Sequence, residues 1–252
     1  MHKLSVIIIT LNEEKNIERC LKSISIADEI IVLDGGSTDN TVDICRQYTD
    51  KVFVHTFTDF SSQKRLALDK CRNEWVLSID SDEVIRPELA VELEELLKLE
   101  TLYDGYYLAR RSYFLKKWIR HCGWYPGYQL RLFRKSKTNV NTSREHEGFL
   151  VDGLVGRLKN DLDHFSHPTL FSSLQKLNHY TTLEAMNRID RKKVHWYHFV
   201  FNPLSTFFIK FISQKGFREG ARGFLLSWIA AFLKMVLYMK IWLLQNNKKT
   251  EA

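Results

Sequence analysis

The apolar run Trp75-Val76-Leu77-Ser78-Ile79 ends abruptly in Asp80-Ser81-Asp82-Glu83. A buried strand that leaves a core delivers its last side chains into a crevice. Two carboxylates one residue apart suit a hard divalent cation there, together with the diphosphate it carries. The same spacing recurs at Asp161-Leu162-Asp163. A pattern this short arises readily by chance, so the elements around each copy must decide between them.

Those elements begin at the N-terminus, where Leu4-Ser5-Val6-Ile7-Ile8-Ile9 reads as a fully buried strand giving way to Thr10-Leu11-Asn12-Glu13-Glu14. Ile17, Cys20, Leu21 and Ile24 recur at i, i+3, i+4, i+7 and predict a helix, with Asn12 as its N-cap and acids in its first turn. A second strand over 29–33 ends in Asp34-Gly35-Gly36-Ser37-Thr38-Asp39. The two glycines permit tight turning, and Ser37 or Thr38 would cap a helix carrying Val42 and Cys45. A strand at 52–54, a helix at 61–71 and a strand at 75–79 continue the alternation. Such alternation predicts an α/β fold with a mainly parallel sheet and a ligand crevice along the carboxyl ends of its strands. Asp80 and Asp82 fall on that edge, so context favours the first copy of the motif.

At 252 residues the chain fits one large domain, or one domain with an extension. Met1-His2-Lys3 leads straight into the first strand, which predicts no signal peptide and a cytoplasmic catalytic part. Cys20, Cys45, Cys71 and Cys122 are scattered singly, the pattern of reduced core thiols rather than disulfides or zinc ligands. The net charge of +7 is uneven: residues 169–252 carry 13 Lys/Arg against 4 Asp/Glu, and the rest is slightly acidic. The basic tail is also apolar, through Trp196-Tyr197-His198-Phe199, Phe207-Phe208-Ile209 and 224–244. Lys234 and Lys240 interrupt the last run, short of the roughly 20 apolar residues a spanning helix needs. It suits a helix lying on an anionic leaflet; the other reading is packing on its own domain or in a homodimer. Nucleic acid is disfavoured, because the charges are diluted by aliphatic runs and no recognition motif accompanies them.

In order and spacing, Thr10-Leu11-Asn12-Glu13, Asp34-Gly35-Gly36-Ser37-Thr38-Asp39 and Asp80-Ser81-Asp82-Glu83 resemble the nucleotide-sugar-binding half of family 2 glycosyltransferases with the GT-A fold. Within that family the pattern is most similar to bacterial lipopolysaccharide-core glucosyltransferases of the WaaE/KdtX type. The resemblance implies a catalytic domain over 1–170 and a helical extension over 171–252 that is membrane-surface-associated or dimerising. It further implies an inverting, metal-dependent transfer of a hexose, glucose foremost, from a nucleotide-sugar, UDP-sugar foremost. The acceptor would be a lipid-linked saccharide such as lipopolysaccharide core, and the enzyme would be peripheral at the inner face of the cytoplasmic membrane.

Residue by residue, the resemblance assigns nucleobase and ribose contacts to Thr10, Asn12, Glu13, Asp34, Ser37 and Asp39, although Asn12 and Ser37 could do nothing but cap helices. Gly35 stands where many relatives carry a second acid, which leaves the nucleobase open. Gln63, Lys64 and Arg65 open a helix near the same edge; Arg65 is the candidate for the diphosphate or ribose, against a solvated helix face. Asp82 would ligate magnesium or manganese, with Asp80 on the ribose or on a metal-bound water. His164 matches a late histidine that completes the metal site, and His167 could exchange roles with it. Glu147 would be the base that deprotonates the acceptor hydroxyl, with Glu145 in reserve and Glu83 and Asp152 as outside choices. Trp124 and Tyr125 would stack on acceptor sugars or pack an aromatic hairpin, and Arg131 and Arg134 would bind phosphate. A non-catalytic nucleotide- or sugar-binding protein on the same scaffold is the alternative; an enzyme is favoured because a binding module needs no metal ligand and base together. A dinucleotide-dependent oxidoreductase is disfavoured because no Gly-x-Gly-x-x-Gly turn follows the first strand.

Overall fold

The first strand, β1 (Leu4–Thr10), is buried at every position but Ile9, because helices cover both faces of the sheet it belongs to. The structure, a computed structural model, describes residues 2–141, 148–167, 178, 181–189 and 193–250. Parallel to β1 on either side run β2 (Glu29–Asp34) and β4 (Trp75–Asp80), with β3 (Val52–Val54) outside β2. Helices α1 (Ile17–Lys22), α2 (Thr41–Arg46) and α3 (Phe60–Lys70) make the crossovers. Alternate side chains of β1 feed opposite faces. Val6 and Ile8 pack with Ile17, Cys20 and Leu21 of α1 and with Leu89 and Leu93 of α4 (Pro87–Lys98). Ile7 packs with Ala67 and Leu68 of α3 and with Phe133.

Beyond β4 the sheet changes direction. Strand β8 (Gly127–Arg134) is antiparallel to β4, and β6 (Gly105–Phe114) is antiparallel to β8. Past β6 come β12 (Leu162–His167) and β5 (Glu83–Ile85), again antiparallel to each other. The short strands β7 (Lys117–Trp118) and β11 (Val155–Arg157) pair with β6, while β9 (Thr138–Asn141) and β10 (Gly148–Val151) form a separate antiparallel pair. The sheet is therefore mixed and not mainly parallel. An apolar run reports burial, not strand direction, and the parallel half alone carried the alternation visible in the sequence.

Three local expectations also change. Helix α1 starts at Ile17 with Asn16 as N-cap, and Asn12 instead sits in the left-handed region at φ 54°. Ile24 lies past the end of α1, though still buried. Neither Ser37 nor Thr38 caps α2; its N-cap is Asn40, and Asp39 Oδ1 accepts the Thr41 amide at 3.0 Å. Asp59 caps α3, accepting from the Ser62 amide at 2.8 Å.

The chain divides into two compact units, one of Met1–Arg111 with Gly127–His164 and the other of Ser112–Pro126 with Phe165–Ala252. The second unit is built on α5 (His198–Phe208) and α6 (Ala221–Thr250), joined by a π turn (Ile209–Ser213) and a 3-10 turn (Gly216–Glu219). Despite Lys234 and Lys240, the 26 residues Ala221–Asn246 are long and apolar enough to cross a membrane by length and composition, contrary to the expectation from those two charges. One side of α6 is nevertheless covered by protein: Leu237, Tyr238 and Ile241 pack with Ala185 and Val194, and Leu226 with Phe114, Ile119 and Cys122.

All four cysteines are buried and free. Burial pushes the Cys45 and Cys71 thiols up to about 12, so almost no thiolate exists at neutral pH. The expected result is negligible reaction of the folded protein with Ellman's reagent and four equivalents after unfolding. Rapid labelling of the native state would contradict this packing.

Candidate functional site

Register brings the three sequence motifs to one edge. Thr10 pairs with Asp34 across β1 and β2, and Ile9 with Asp80 across β1 and β4, so all three strands end together. The loops that follow are tied to one another. Asp34 is fully buried; its Oδ1 accepts the Gly36 and Ser37 amides at 2.9 and 2.7 Å, and its Oδ2 accepts the Ser37 hydroxyl. That turn needs the left-handed φ of +96° at Gly36, which a glycine adopts without a Cβ clash. Ser37 Oγ accepts the Asn12 amide at 2.8 Å, and Asn12 Oδ1 accepts the Thr38 amide at 2.8 Å. The Glu13 amide donates to Thr41 Oγ1 at 2.8 Å, and the Glu14 amide to Asp39 Oδ2 at 3.2 Å. Thr10, Asn12, Glu13, Asp34, Ser37 and Asp39 are thus gathered at one place, with much of their bonding capacity spent on shaping the loops. Thr10 Oγ1 is different: it is buried with no hydrogen-bond partner among the described residues. Such a group costs free energy unless a ligand or water satisfies it.

At the end of β4, Asp80 is held by an arginine. Arg131 Nη1 lies 3.4 Å from Asp80 Oδ1, Nη2 contacts Oδ2, and Nη2 also reaches Glu83 Oε1 at 2.6 Å. Glu83 is fully buried, accepts the Asp80 amide at 2.9 Å, and has Arg110 Nη1 at 3.6 Å. Burial drives the Glu83 carboxyl up, to about 7, against the pull of Arg131 and Arg110. Burial also works against charging Asp80, but there the Arg131 guanidinium prevails and holds the carboxyl well below the usual range. Arg131, expected to bind phosphate, is instead 6% exposed beneath the acidic motif and occupied by Asp80 and Glu83. The cause is β8: Leu132 pairs with Leu77, which aims the neighbouring arginine at the end of β4.

Asp82 is also buried, and His164 Nε2 lies 3.6 Å from its Oδ1. The β12–β5 ladder sets His164 opposite Glu83 and so brings it to the motif. The side chain of His167 lies outside the described residues. A carboxylate and an imidazole side by side are hard and borderline donors that suit magnesium or manganese, ions that fill their remaining positions with water and substrate phosphate. Among the described residues no group of three or more such side chains gathers, so substrate oxygens would have to complete the shell. The second Asp-x-Asp is accounted for by ion pairs: Asp161 Oδ2 meets Arg111 Nε at 2.6 Å, and Asp163 Oδ2 meets Arg86 Nη1 at 3.3 Å.

Of the residues opening α3, Arg65 is exposed, whereas Lys64 acts on Asp80, helping to lower its carboxyl. Trp124 and Tyr125 belong to the second unit, where Trp124 packs edge-on to Phe114 and Tyr125 edge-on to Trp118. Arg134 stacks over Trp75 and pairs with Asp104. Glu145 and Glu147 lie outside the described residues; the segment holding them leaves β9 at Asn141, whose carbonyl accepts Ser61 Oγ at 2.8 Å. Asp152 is exposed just after β10. Arg110 is the side chain that sequence reasoning missed. Its signal was a pair of arginines inside the otherwise apolar and aromatic β6 run.

A GT-A-like mixed sheet, with nucleotide-side loops and an acidic motif at its strand ends, defines a glycosyltransferase. The chain belongs to Glycosyl transferase family 2, whose sequence model matches residues 5–165. It is 30% identical over 248 residues to the lipopolysaccharide core biosynthesis glycosyltransferase LpsC of Rhizobium meliloti (strain 1021), covering 95% of this chain and 92% of LpsC. An uncharacterized glycosyltransferase of Rickettsia bellii (strain RML369-C) is 31% identical over 257 residues, 95% of this chain and 86% of that one. Among solved structures, S. aureus TarS 1-349 in complex with UDP-GlcNAc aligns with a TM-score of 0.48 at 18% identity, covering 91% of this chain and 79% of TarS.

Proposed function

We propose that the protein is an inverting, metal-dependent hexosyltransferase that moves glucose from UDP-glucose to a lipid-linked saccharide of the lipopolysaccharide-core kind. It would work at the inner face of the cytoplasmic membrane, with residues 1–170 catalytic and 171–252 as the membrane-facing extension. The observation that carries the reading is the meeting, at one strand-end edge, of the Asp82–His164 pair and the Asp80–Arg131–Glu83 cluster. The likeness to LpsC supports the choice of acceptor.

In this reading Thr10, Asn12, Glu13, Asp34, Ser37 and Asp39 hold the nucleoside, and the buried Thr10 hydroxyl gains the partner it lacks. Asp80, kept ionised by Arg131, fixes the ribose or a metal-bound water. Asp82 and His164 would hold magnesium or manganese, which when bound would offset the charge on the departing diphosphate, the part a general acid would otherwise play. Glu147, or Glu145 in its place, accepts the proton of the acceptor hydroxyl as its oxygen attacks the anomeric carbon opposite the leaving diphosphate. A single displacement inverts that centre. Arg65 or Lys64 meets the diphosphate.

The test is release of nucleoside diphosphate by the purified chain across UDP-, GDP- and ADP-sugars, with and without divalent metal. Turnover of UDP-glucose alone, and only with metal, is the expected result. Equal turnover in excess chelator would overturn the metal-dependent reading, and a preference for GDP- or ADP-sugars would overturn the donor.

A further inference from the structure

The second unit carries an unusual surface. Its segments Ser112–Pro126 and 193–246 contain ten Lys/Arg and a single acid, Glu219. That acid is spent inside the protein: only 6% exposed, it accepts the Arg120 amide at 3.0 Å, lies 2.8 Å from His121 Nδ1, and pairs with Lys117 Nζ at 3.3 Å. Among the other described residues of this unit the one further acid, Glu184, is paired with Arg188 at 2.7 Å, so neither acid offsets the basic side chains of these two segments. Lys215 and Arg218, on the turns between α5 and α6, are exposed.

Beside those turns the helices turn apolar side chains outward. On α6, Phe224, Trp228, Phe232, Met239 and Trp242 recur at helical spacing and are 43–52% exposed. They form one row, opposite the side covered by Ala185, Val194 and Cys122. Phe207 of α5 lies 5.7 Å from Phe224 and 5.5 Å from Trp228, ring centre to centre, so the row continues onto α5. There Phe208 and, on the turn after it, Ile212 are more than half exposed. A helix apolar on its open side and packed by protein on the other does not need lipid all round. Lys240 Nζ, held by the Asn178 carbonyl and the Thr181 and Thr182 hydroxyls, keeps the protein-facing side polar in places.

We infer that this face docks on an anionic phospholipid bilayer, with the α5–α6 aromatic row in the boundary between headgroups and acyl chains and the basic turns on lipid phosphates. Charge complementarity selects the occupant: an unbalanced basic rim beside an aromatic row matches a negative leaflet. A second copy of this chain would bring another basic rim against the first and repel it. The inference deepens the proposed function by naming what brings the enzyme to a lipid-linked acceptor, and rests on that reading for the acceptor alone.

The experiment is co-sedimentation of the full chain with phosphatidylcholine vesicles, with and without about 30 mol % phosphatidylglycerol. Two double variants accompany it, Trp228→Ser with Trp242→Ser and Lys215→Glu with Arg218→Glu, all at exposed positions. Binding at least about tenfold tighter to the anionic vesicles is expected, with roughly tenfold or greater loss in each double variant. Thermal unfolding and donor turnover should remain as in the unaltered chain. Equal binding to neutral and anionic vesicles, or variants that bind like the parent, would overturn docking. So would a stable dimer in solution that the tryptophan variant dissolves, since the row would then be covered by a second copy. Docking with no donor turnover would count against the transferase reading and leave the bilayer surface standing, so the two failures are distinct.

Discussion

Replacing Arg131 with methionine is expected to lower stability by about 3–5 kcal/mol, the usual cost of removing one partner from a buried ion pair. The reason is geometric. Arg131 is buried and touches both Asp80 and Glu83, and Glu83 has no solvent to retreat to. Without the guanidinium the two carboxylates would face each other with Arg110, 3.6 Å from Glu83, and the more distant charge of Lys64 on Asp80 as the remaining countercharges. Glu83 would protonate, and Asp80 would lose the contact that holds its side chain in place. A methionine fills much of the volume, so a cavity is not the main term. Transfer should fall with stability and stay low under conditions where the variant is folded, because Asp80 would no longer be aimed. Arg131→Lys keeps the charge but loses the planar fork that serves two carboxylates, and should recover only part of the stability. Urea unfolding of the three proteins checks the order; a methionine variant as stable as the parent would show that the cluster carries little.

The second large effect is expected at Asp82. Asp82→Asn keeps size and hydrogen bonding but removes the charge that a cation needs, and should cut donor turnover by about three orders of magnitude, the weight of several kcal/mol of charge stabilisation. Stability should fall less than in the Arg131 variant, since the amide keeps the size and hydrogen-bonding capacity of the buried side chain. His164→Ala should act in the same direction through the 3.6 Å neighbour of Asp82, raising the metal concentration needed for half-maximal rate. If turnover instead survived in Asp82→Asn with unchanged metal dependence, the cation would have to be held elsewhere. Released UDP measured against manganese concentration separates the cases.

The parallel half of the fold was readable because β1, β2 and β4 are apolar on both faces, and unbroken runs of that length have few other uses. The edge on which Asp34, Asp80 and Asp82 fall followed from the alternation alone. Strand direction past β4 did not follow, because β8 and β6 are partly exposed strands whose pattern is equally good in either direction. Helix starts were misread for a local reason: Asn12 takes a left-handed backbone and spends its side chain on the Asp34–Asp39 loop, so a good capping residue caps nothing. The partner of Asp80 was out of reach, since Arg131 lies 51 residues away and its position depends on the antiparallel register of β8. His164 entered through family resemblance; the β12–β5 pairing sets it opposite Glu83, a register that depends on residues 81 positions apart and was not readable locally. The second Asp-x-Asp shows the reverse case, a matching pattern whose carboxylates are occupied by Arg111 and Arg86.

The most direct test of the central claim is UDP release from UDP-glucose by the parent chain, Asp82→Asn and Glu147→Gln, each titrated with manganese or magnesium in the presence of a lipopolysaccharide-core acceptor. The expected result is metal-dependent release by the parent, loss in both variants, and donor binding retained by Glu147→Gln. Release by Asp82→Asn at the parent rate, or by the parent in excess chelator, would contradict the account.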